Sequence, residues 1–162
     1  MVKIEIERKF LVANDGWKSA VESSVYLKDG LLMKSSTAKL RVRREPTKAV
    51  LTLKSPIVGL ERREFEYEIP LADADLLLSD HCEGESVGKT RHFVQQETIT
   101  WIVDVYDGIL SGVVLAEVEL EHARQKIELP DWVGMEVTGQ LEYSKANVLI
   151  RAAQGSFHFR VD

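Results

Sequence analysis

Ionisable side chains recur in this sequence as like-charged pairs two residues apart. Glu5 and Glu7 are followed by Lys9, Arg41 pairs with Arg43, and Glu64 pairs with Glu66 after Arg62. Lys89 pairs with Arg91, and Glu117 with Glu119. Residues i and i+2 of a strand project from the same face, so each pair sets two like charges side by side. Folding alone does not favour that; an opposite-charge strand, a metal or a charged ligand must compensate. One such pair is ordinarily a solvated sheet face laced with surface ion pairs. Five on separate segments point to a shared purpose. If the sheet closes into a barrel with its apolar positions outward, the ionic positions line the lumen. Arg and Lys there would hold phosphate oxygens, Arg by bidentate bonds. The carboxylates would hold Mg²⁺ or Mn²⁺, which take oxygen ligands and bridge phosphates. Together these groups suit phosphoryl transfer.

The elements that must position these charges read mainly as strands. Val2, Ile4 and Ile6 alternate with Lys3, Glu5 and Glu7, and Leu40 and Val42 with Arg41 and Arg43. The same two-residue period recurs around Leu51 and Leu53, Phe65 and Tyr67, Trp101 to Val105, and Val118 and Leu120. Such alternation marks strands with one apolar face. Turn signals stand singly between them, among them Asn14-Asp15-Gly16, Lys28-Asp29-Gly30 and Asp107-Gly108. Helices are fewer. One is expected from Asp15 to about Ser24, capped by Asn14 or Asp15, and one over Asp73 to Leu78. A third is expected from Tyr143 to Gln154, with Ser144 as N-cap and Ala146, Leu149, Ile150 and Ala153 on one face. The class is α+β with a mostly antiparallel sheet of seven or eight strands.

The 162 residues suit one domain over 1–162, and 44% hydrophobic with 29% charged residues excludes disorder and coiled coil. The net charge of -5 disfavours duplex nucleic acid, whose affinity rests on phosphate neutralisation. With Cys82 as the only cysteine, an intrachain disulfide and a cysteine-rich zinc site are excluded. Cys82 itself reads as an ordinary thiol. Acids interrupt the N-terminal segment where a signal peptide needs an apolar stretch, and the apolar runs are too short for a membrane span. A reduced, cytoplasmic protein without a membrane partner is the expectation.

In order along the chain, the motifs resemble the CYTH superfamily, the triphosphate tunnel metalloenzymes. Glu5-Ile6-Glu7-Arg8-Lys9 is similar to the family's N-terminal Glu-x-Glu-x-Lys. Arg41-Val42-Arg43, Leu51-Thr52-Leu53-Lys54 and Arg62-Arg63-Glu64-Phe65-Glu66 follow. Lys89-Thr90-Arg91, the strand around Asp104, and Glu117-Val118-Glu119 complete the series. The resemblance implies a closed antiparallel barrel of about eight strands, with an ionic lumen and helices packed outside. It implies a triphosphate substrate, most simply inorganic tripolyphosphate split to pyrophosphate and phosphate. By matched position, Arg41, Arg43, Lys54, Lys89 and Arg91 would grip phosphates. Glu5, Glu7, Glu117 and Glu119 would bind Mg²⁺ or Mn²⁺ and, through it, orient the attacking water. Glu64, Glu66 and Asp104 would be supporting lumen acids. Lys9 would be a phosphate ligand or a group tuning the catalytic carboxylates Glu5 and Glu7 and the water.

Two departures stand out. Tyr26-Leu27 lacks the Gln the family often shows just before it, and Lys145 stands where Asn is common, near one tunnel mouth. Arg44, Glu45 and Arg63 read as outside charges. His81, His92, His122 and His158 read as surface residues, and Trp101 as outer-wall core. The shared fold leaves open a class IV type adenylate cyclase and a thiamine or nucleoside triphosphatase. A non-catalytic polyphosphate-binding module is the remaining alternative, disfavoured because an anion binder gains nothing from so many carboxylates. A homodimer is compatible with all of these.

Overall fold

The computed structural model describes residues 3–140 and Tyr143. Nine strands follow in chain order: β1 (Lys3–Val12), β2 (Val21–Lys34), β3 (Lys39–Arg44), β4 (Ala49–Lys54), β5 (Glu61–Ile69), β6 (Val87–Gln96), β7 (Ile99–Tyr106), β8 (Val114–Glu119) and β9 (Val133–Glu136). Among the described residues there is one α-helix, α1 (Leu71–Asp80), between β5 and β6. The strand order is β5-β4-β3-β2-β6-β7-β8-β1-β9, and β5 pairs again with β1. That last pairing closes eight strands into an antiparallel barrel, as the family resemblance implied. The long β1 makes closure possible. One edge carries β8 from Glu7 to Leu11; the other carries β5 from Lys3 to Ile6 and then β9 at Phe10 and Val12.

Most of the apolar half of the alternations faces outward and is covered, although Ile4 and Tyr67 stay exposed. Phe10, Trp17, Val94, Trp101, Val103, Ala116, Val118 and Trp132 form one outer cluster. Trp101 is fully buried there, edge-on to Phe10 at 5.4 Å and to Trp132 at 5.5 Å. It is outer-wall core, as its position among Val103 and Val105 suggested. On the opposite wall, Ala74 and Leu78 of α1 pack on Val42 and Ala49. The helix expected over Asp73 to Leu78 exists and is longer at both ends.

Two local expectations need correction. The helix expected from Asp15 to Ser24 is a 3-10 turn over Asp15–Ala20, capped by the Asn14 side chain on Gly16 N–H. From Val21 the chain is strand, because pairing of β2 with β6 begins at Val21 opposite Val94. Nor is Lys28-Asp29-Gly30 a turn. It lies mid-strand in β2, where Gly30 serves packing: a Cβ there would sit 2.2 Å from Cys82 Sγ and 2.8 Å from Leu78 Cδ2. The expected helix from Tyr143 to Gln154, with Ser144, Lys145 and His158, lies outside the described residues apart from Tyr143.

The lumen face is not ionic throughout. Leu11, Val87, Tyr106 and Leu115 continue the faces of Lys9, Lys89, Asp104 and Glu117, and are buried with Leu110, Val113 and Val137. This apolar layer closes off the β1, β6, β7 and β8 side of one end. No helix among the described residues is long and apolar enough to cross a membrane.

Candidate functional site

Strand alternation sends at least one member of every charged pair singled out in the sequence into the enclosed lumen, and the register brings opposite signs together. Lys9 is the cross-strand partner of Glu117, and its Nζ lies 2.8 Å from Glu117 Oε1. Glu5 receives two cations, Lys54 at 2.9 Å and Arg62. Arg62 also reaches Glu7 at 3.0 Å, and Lys54 reaches Glu64 at 2.5 Å. Across the barrel, Arg91 grips Asp104 through two bonds of 2.8 Å each, beside a second cation on that carboxylate, Lys89. Arg91 also lies 3.5 Å from Glu117. Arg43 holds Asp29 in a bidentate bond of 2.7 and 2.9 Å.

Glu5, Glu64, Lys89, Asp104 and Glu117 are buried. Buried charges persist only when paired, and the lumen is internally neutralised in this way. Burial alone would raise the Glu5 carboxyl, but the Arg62 hydrogen bond and the Lys54 charge outweigh it and hold the pKa at about 2. Glu117 shows the same contest: burial opposes its charge, while Lys9, Lys89 and Arg91 hold its pKa well below the usual carboxylate range. Asp104 is likewise lowered against its burial by Lys89 and Arg91.

Among the described residues, two lumen groups remain poorly matched. The first is Glu7. Burial, together with the negative charges of Glu117 and Glu5, raises its carboxyl above the usual range despite Lys9 and Arg62. The second is Arg41. Its guanidinium is 3.9 Å from Asp29 and donates to Thr52 Oγ1 at 3.2 Å, while its buried Nε has no hydrogen-bond partner among the described residues. Burial, with the positive charges of Arg43 and Arg91, lowers its pKa in spite of Asp29. One corner of the lumen therefore has surplus negative charge, and another holds an under-partnered cation.

Two expected residues stand apart from this enclosed set. Glu119 is cross-strand to Glu7, yet its side chain is 53% exposed and lies 3.8 Å from Lys3. Glu66 is exposed at the barrel rim, where it accepts a 3.3 Å hydrogen bond from the buried Thr52 hydroxyl. Among the described residues, no three His, Cys, Asp or Glu side chains stand grouped as a ready metal cage. The carboxylates are instead each held by bases. The donor chemistry still fits a hard divalent cation at Glu7 and Glu117, where oxygen ligands adjoin and repulsion raises Glu7.

Sequence reasoning missed Asp29, hidden in an apparent turn signal, although it is a buried anchor for Arg43. It noted Arg62 without giving it a role; its two-residue spacing from Glu64 was the available signal. Outside the barrel, Arg44 lies 3.3 Å from Asp75 of α1 and Arg63 is exposed, as expected of outside charges. His81 and His122 are exposed. His92 is half-buried, its ring tilted against Trp17 with centroids 5.0 Å apart and hydrogen-bonded to Ser24. Cys82 is part-buried against Leu77 O, and its thiol pKa is raised by that burial, which does not suit a nucleophile.

Comparison with known proteins covers almost the whole chain. A model of the CYTH domain matches residues 3–153. An inorganic triphosphatase of Acetivibrio thermocellus is 38% identical over 145 residues, which is 90% of this chain and 92% of that protein. The crystal structure of the inorganic triphosphatase NE1496 superposes with a TM-score of 0.63 at 34% identity, covering 90% of this chain and 97% of that one. The PH1012 protein of Pyrococcus horikoshii, at 22% identity and a TM-score of 0.58 over 74% of this chain and 79% of its own, shares the fold.

Proposed function

This chain belongs to the CYTH domain family, and on that premise we propose that it hydrolyses inorganic tripolyphosphate to pyrophosphate and orthophosphate with a divalent cation, Mg²⁺ or Mn²⁺. The observation that carries the reading is Arg41. A part-buried guanidinium whose buried Nε is unmatched, crowded by Arg43 and Arg91, is short of an anion. A triphosphate supplies one with several oxygens, and guanidinium geometry suits phosphate. The named activity of the two relatives supports the same choice.

Arg41 binds phosphate first because it gives up the least. Arg43, Lys54, Lys89 and Arg91 extend the grip by exchanging carboxylate oxygens for phosphate oxygens. Glu5, Glu7, Glu117 and Glu119 would be the residues that hold the cation, with Glu119 reaching in from the rim. When bound, that cation neutralises developing charge on the phosphate oxygens and lowers the pKa of water. Burial and the charges of Glu117 and Glu5 favour protonation of Glu7 more than in an ordinary glutamate, and a cation held there would favour its carboxylate instead. Lys9, against Glu117 and near Glu7, keeps those two carboxylates in position. Glu64 and Asp104 anchor the bases between turnovers, and Glu66 orients Thr52. Rate enhancement comes from positioning and charge complementarity, with no covalent step on a side chain.

A substrate panel tests the reading. Tripolyphosphate, ATP, thiamine triphosphate and long-chain polyphosphate are each incubated with Mg²⁺ or Mn²⁺, and phosphate, pyrophosphate and cyclic AMP are measured. Preferential conversion of tripolyphosphate supports it. Cyclic AMP from ATP, or preference for an organic triphosphate, replaces the substrate assignment.

A further inference from the structure

Lys34 and Lys39, at the far end of the lumen face, take no part in the phosphate grip of Arg41, Arg43, Lys54, Lys89 and Arg91. Lys34, Lys39 and Lys54 are cross-strand neighbours on β2, β3 and β4, Lys34 opposite Lys39 and Lys39 opposite Lys54. Like charges directly opposite on one sheet face repel. Lys54 is neutralised by Glu5 and Glu64. Lys34 and Lys39 make no hydrogen bond or ion pair with a described residue, and both are exposed. Lys39 nevertheless senses the lumen. Burial, then the charges of Lys34, Arg62 and Lys9, lower its ammonium pKa. Lys39 also begins a ladder on β3: Lys39, Arg41 and Arg43 share one face, each about 6.8 Å from the next. Along it the chain passes from the exposed Lys39 to the Arg41 and Arg43 side chains, 18% and 12% exposed.

We propose that Lys34 and Lys39 form a further phosphate subsite at the barrel mouth, taking the trailing end of an inorganic phosphate chain whose leading phosphates reach Arg41. The proposal rests on the triphosphate reading of the lumen. It makes the mouth a selector of length: a chain of three phosphates reaches both the ladder and the lysine pair, whereas pyrophosphate reaches only one.

Calorimetric titration of the full chain with sodium tripolyphosphate or pyrophosphate, in chelator so that no turnover intrudes, tests this at about 50 and about 250 mM salt. Lys34→Gln/Lys39→Gln should bind tripolyphosphate about tenfold more weakly at the lower salt and pyrophosphate less than about threefold more weakly. The difference should shrink at the higher salt, as expected for partly exposed charges. Lys34→Arg/Lys39→Arg should keep the wild-type discrimination. Equal losses for both ligands, unchanged tripolyphosphate affinity, or a wild-type chain that binds neither anion would overturn the proposal. If the length-dependent loss appears in a protein that turns over no triphosphate, the subsite stands and the catalytic reading falls.

Discussion

Arg41 and Arg43 are adjacent on one face of β3, yet their charge should have opposite consequences for stability. Arg43 is matched by two bonds to Asp29. Arg41 lies 3.9 Å from the same carboxylate and leaves Nε unmatched. Arg41 pays for burial without a close counter-ion, and Asp29 keeps Arg43 when Arg41 is removed, so an apolar side chain of similar volume gives back little pairing energy. Removing one partner of a well-paired buried couple costs about 3–5 kcal/mol. Arg41→Met should therefore leave Tm unchanged or raise it by a few degrees. Arg43→Met should lower it by roughly 10 °C, taking about 2–4 °C per kcal/mol for a chain of this size. Function reverses the order of tolerance. Loss of the Arg41 contact to a buried phosphate should cost about 3 kcal/mol, or about 150-fold in tripolyphosphate affinity. Scanning calorimetry gives the first quantity, and titration with tripolyphosphate gives the second. If Arg41→Met melts as low as Arg43→Met, or binds tripolyphosphate within twofold of wild type, Arg41 is a structural cation and the argument from its unmatched Nε is wrong.

Three further outcomes follow from the same lumen. Glu117→Gln should reduce turnover by at least about 10²-fold while the barrel stays folded, since Lys9 keeps Glu7 nearby and Arg91 keeps Asp104; undiminished tripolyphosphatase activity contradicts the role given to Glu117. Glu5, held at about 2 in the folded chain against an ordinary 4.5, stabilises fully above pH about 4.5 and loses that contribution as pH falls toward 2. Urea unfolding of wild type should therefore weaken by on the order of 3 kcal/mol across that window, and Glu5→Gln should flatten that part of the curve. Glu7 runs the other way: its raised carboxyl carries a proton at higher pH than an ordinary glutamate, and cation binding should expel it. Calorimetry of Mg²⁺ binding in two buffers of different ionisation enthalpy, at a pH near the Glu7 titration, should show proton release that Glu7→Gln removes.

Much of this arrangement was legible because a two-residue period carries its own geometry. Once Glu5, Arg41, Glu64, Lys89 and Glu117 are placed on strands, i and i+2 identity assigns them to one face, and burial of the opposite apolar face makes that face the lumen. What periodicity does not encode is register between strands. Lys9 opposite Glu117 and Arg91 opposite Asp104 are products of barrel closure, so which acid neutralises which base could not be read in advance. Asp29 was lost for a related reason. Lys28-Asp29-Gly30 has the composition of a turn, and only the approach of Cys82 and Leu78 to Gly30 explains glycine in mid-strand. The 3-10 turn that ends at Ala20 shows the same override: strand pairing with β6 captures Val21 to Ser24 before a helix can extend. Glu119 illustrates the converse limit. Its spacing matches Glu117, but it lies at the last position of β8, where the barrel wall gives way to solvent.

The most direct test follows inorganic tripolyphosphate by ³¹P nuclear magnetic resonance in the presence of the wild-type chain and Mg²⁺, with chelator added midway. The lumen described here predicts pyrophosphate and orthophosphate appearing in equal amounts, and an arrest of both when the cation is withdrawn. An unchanged tripolyphosphate spectrum, or turnover that continues through chelation, would contradict it.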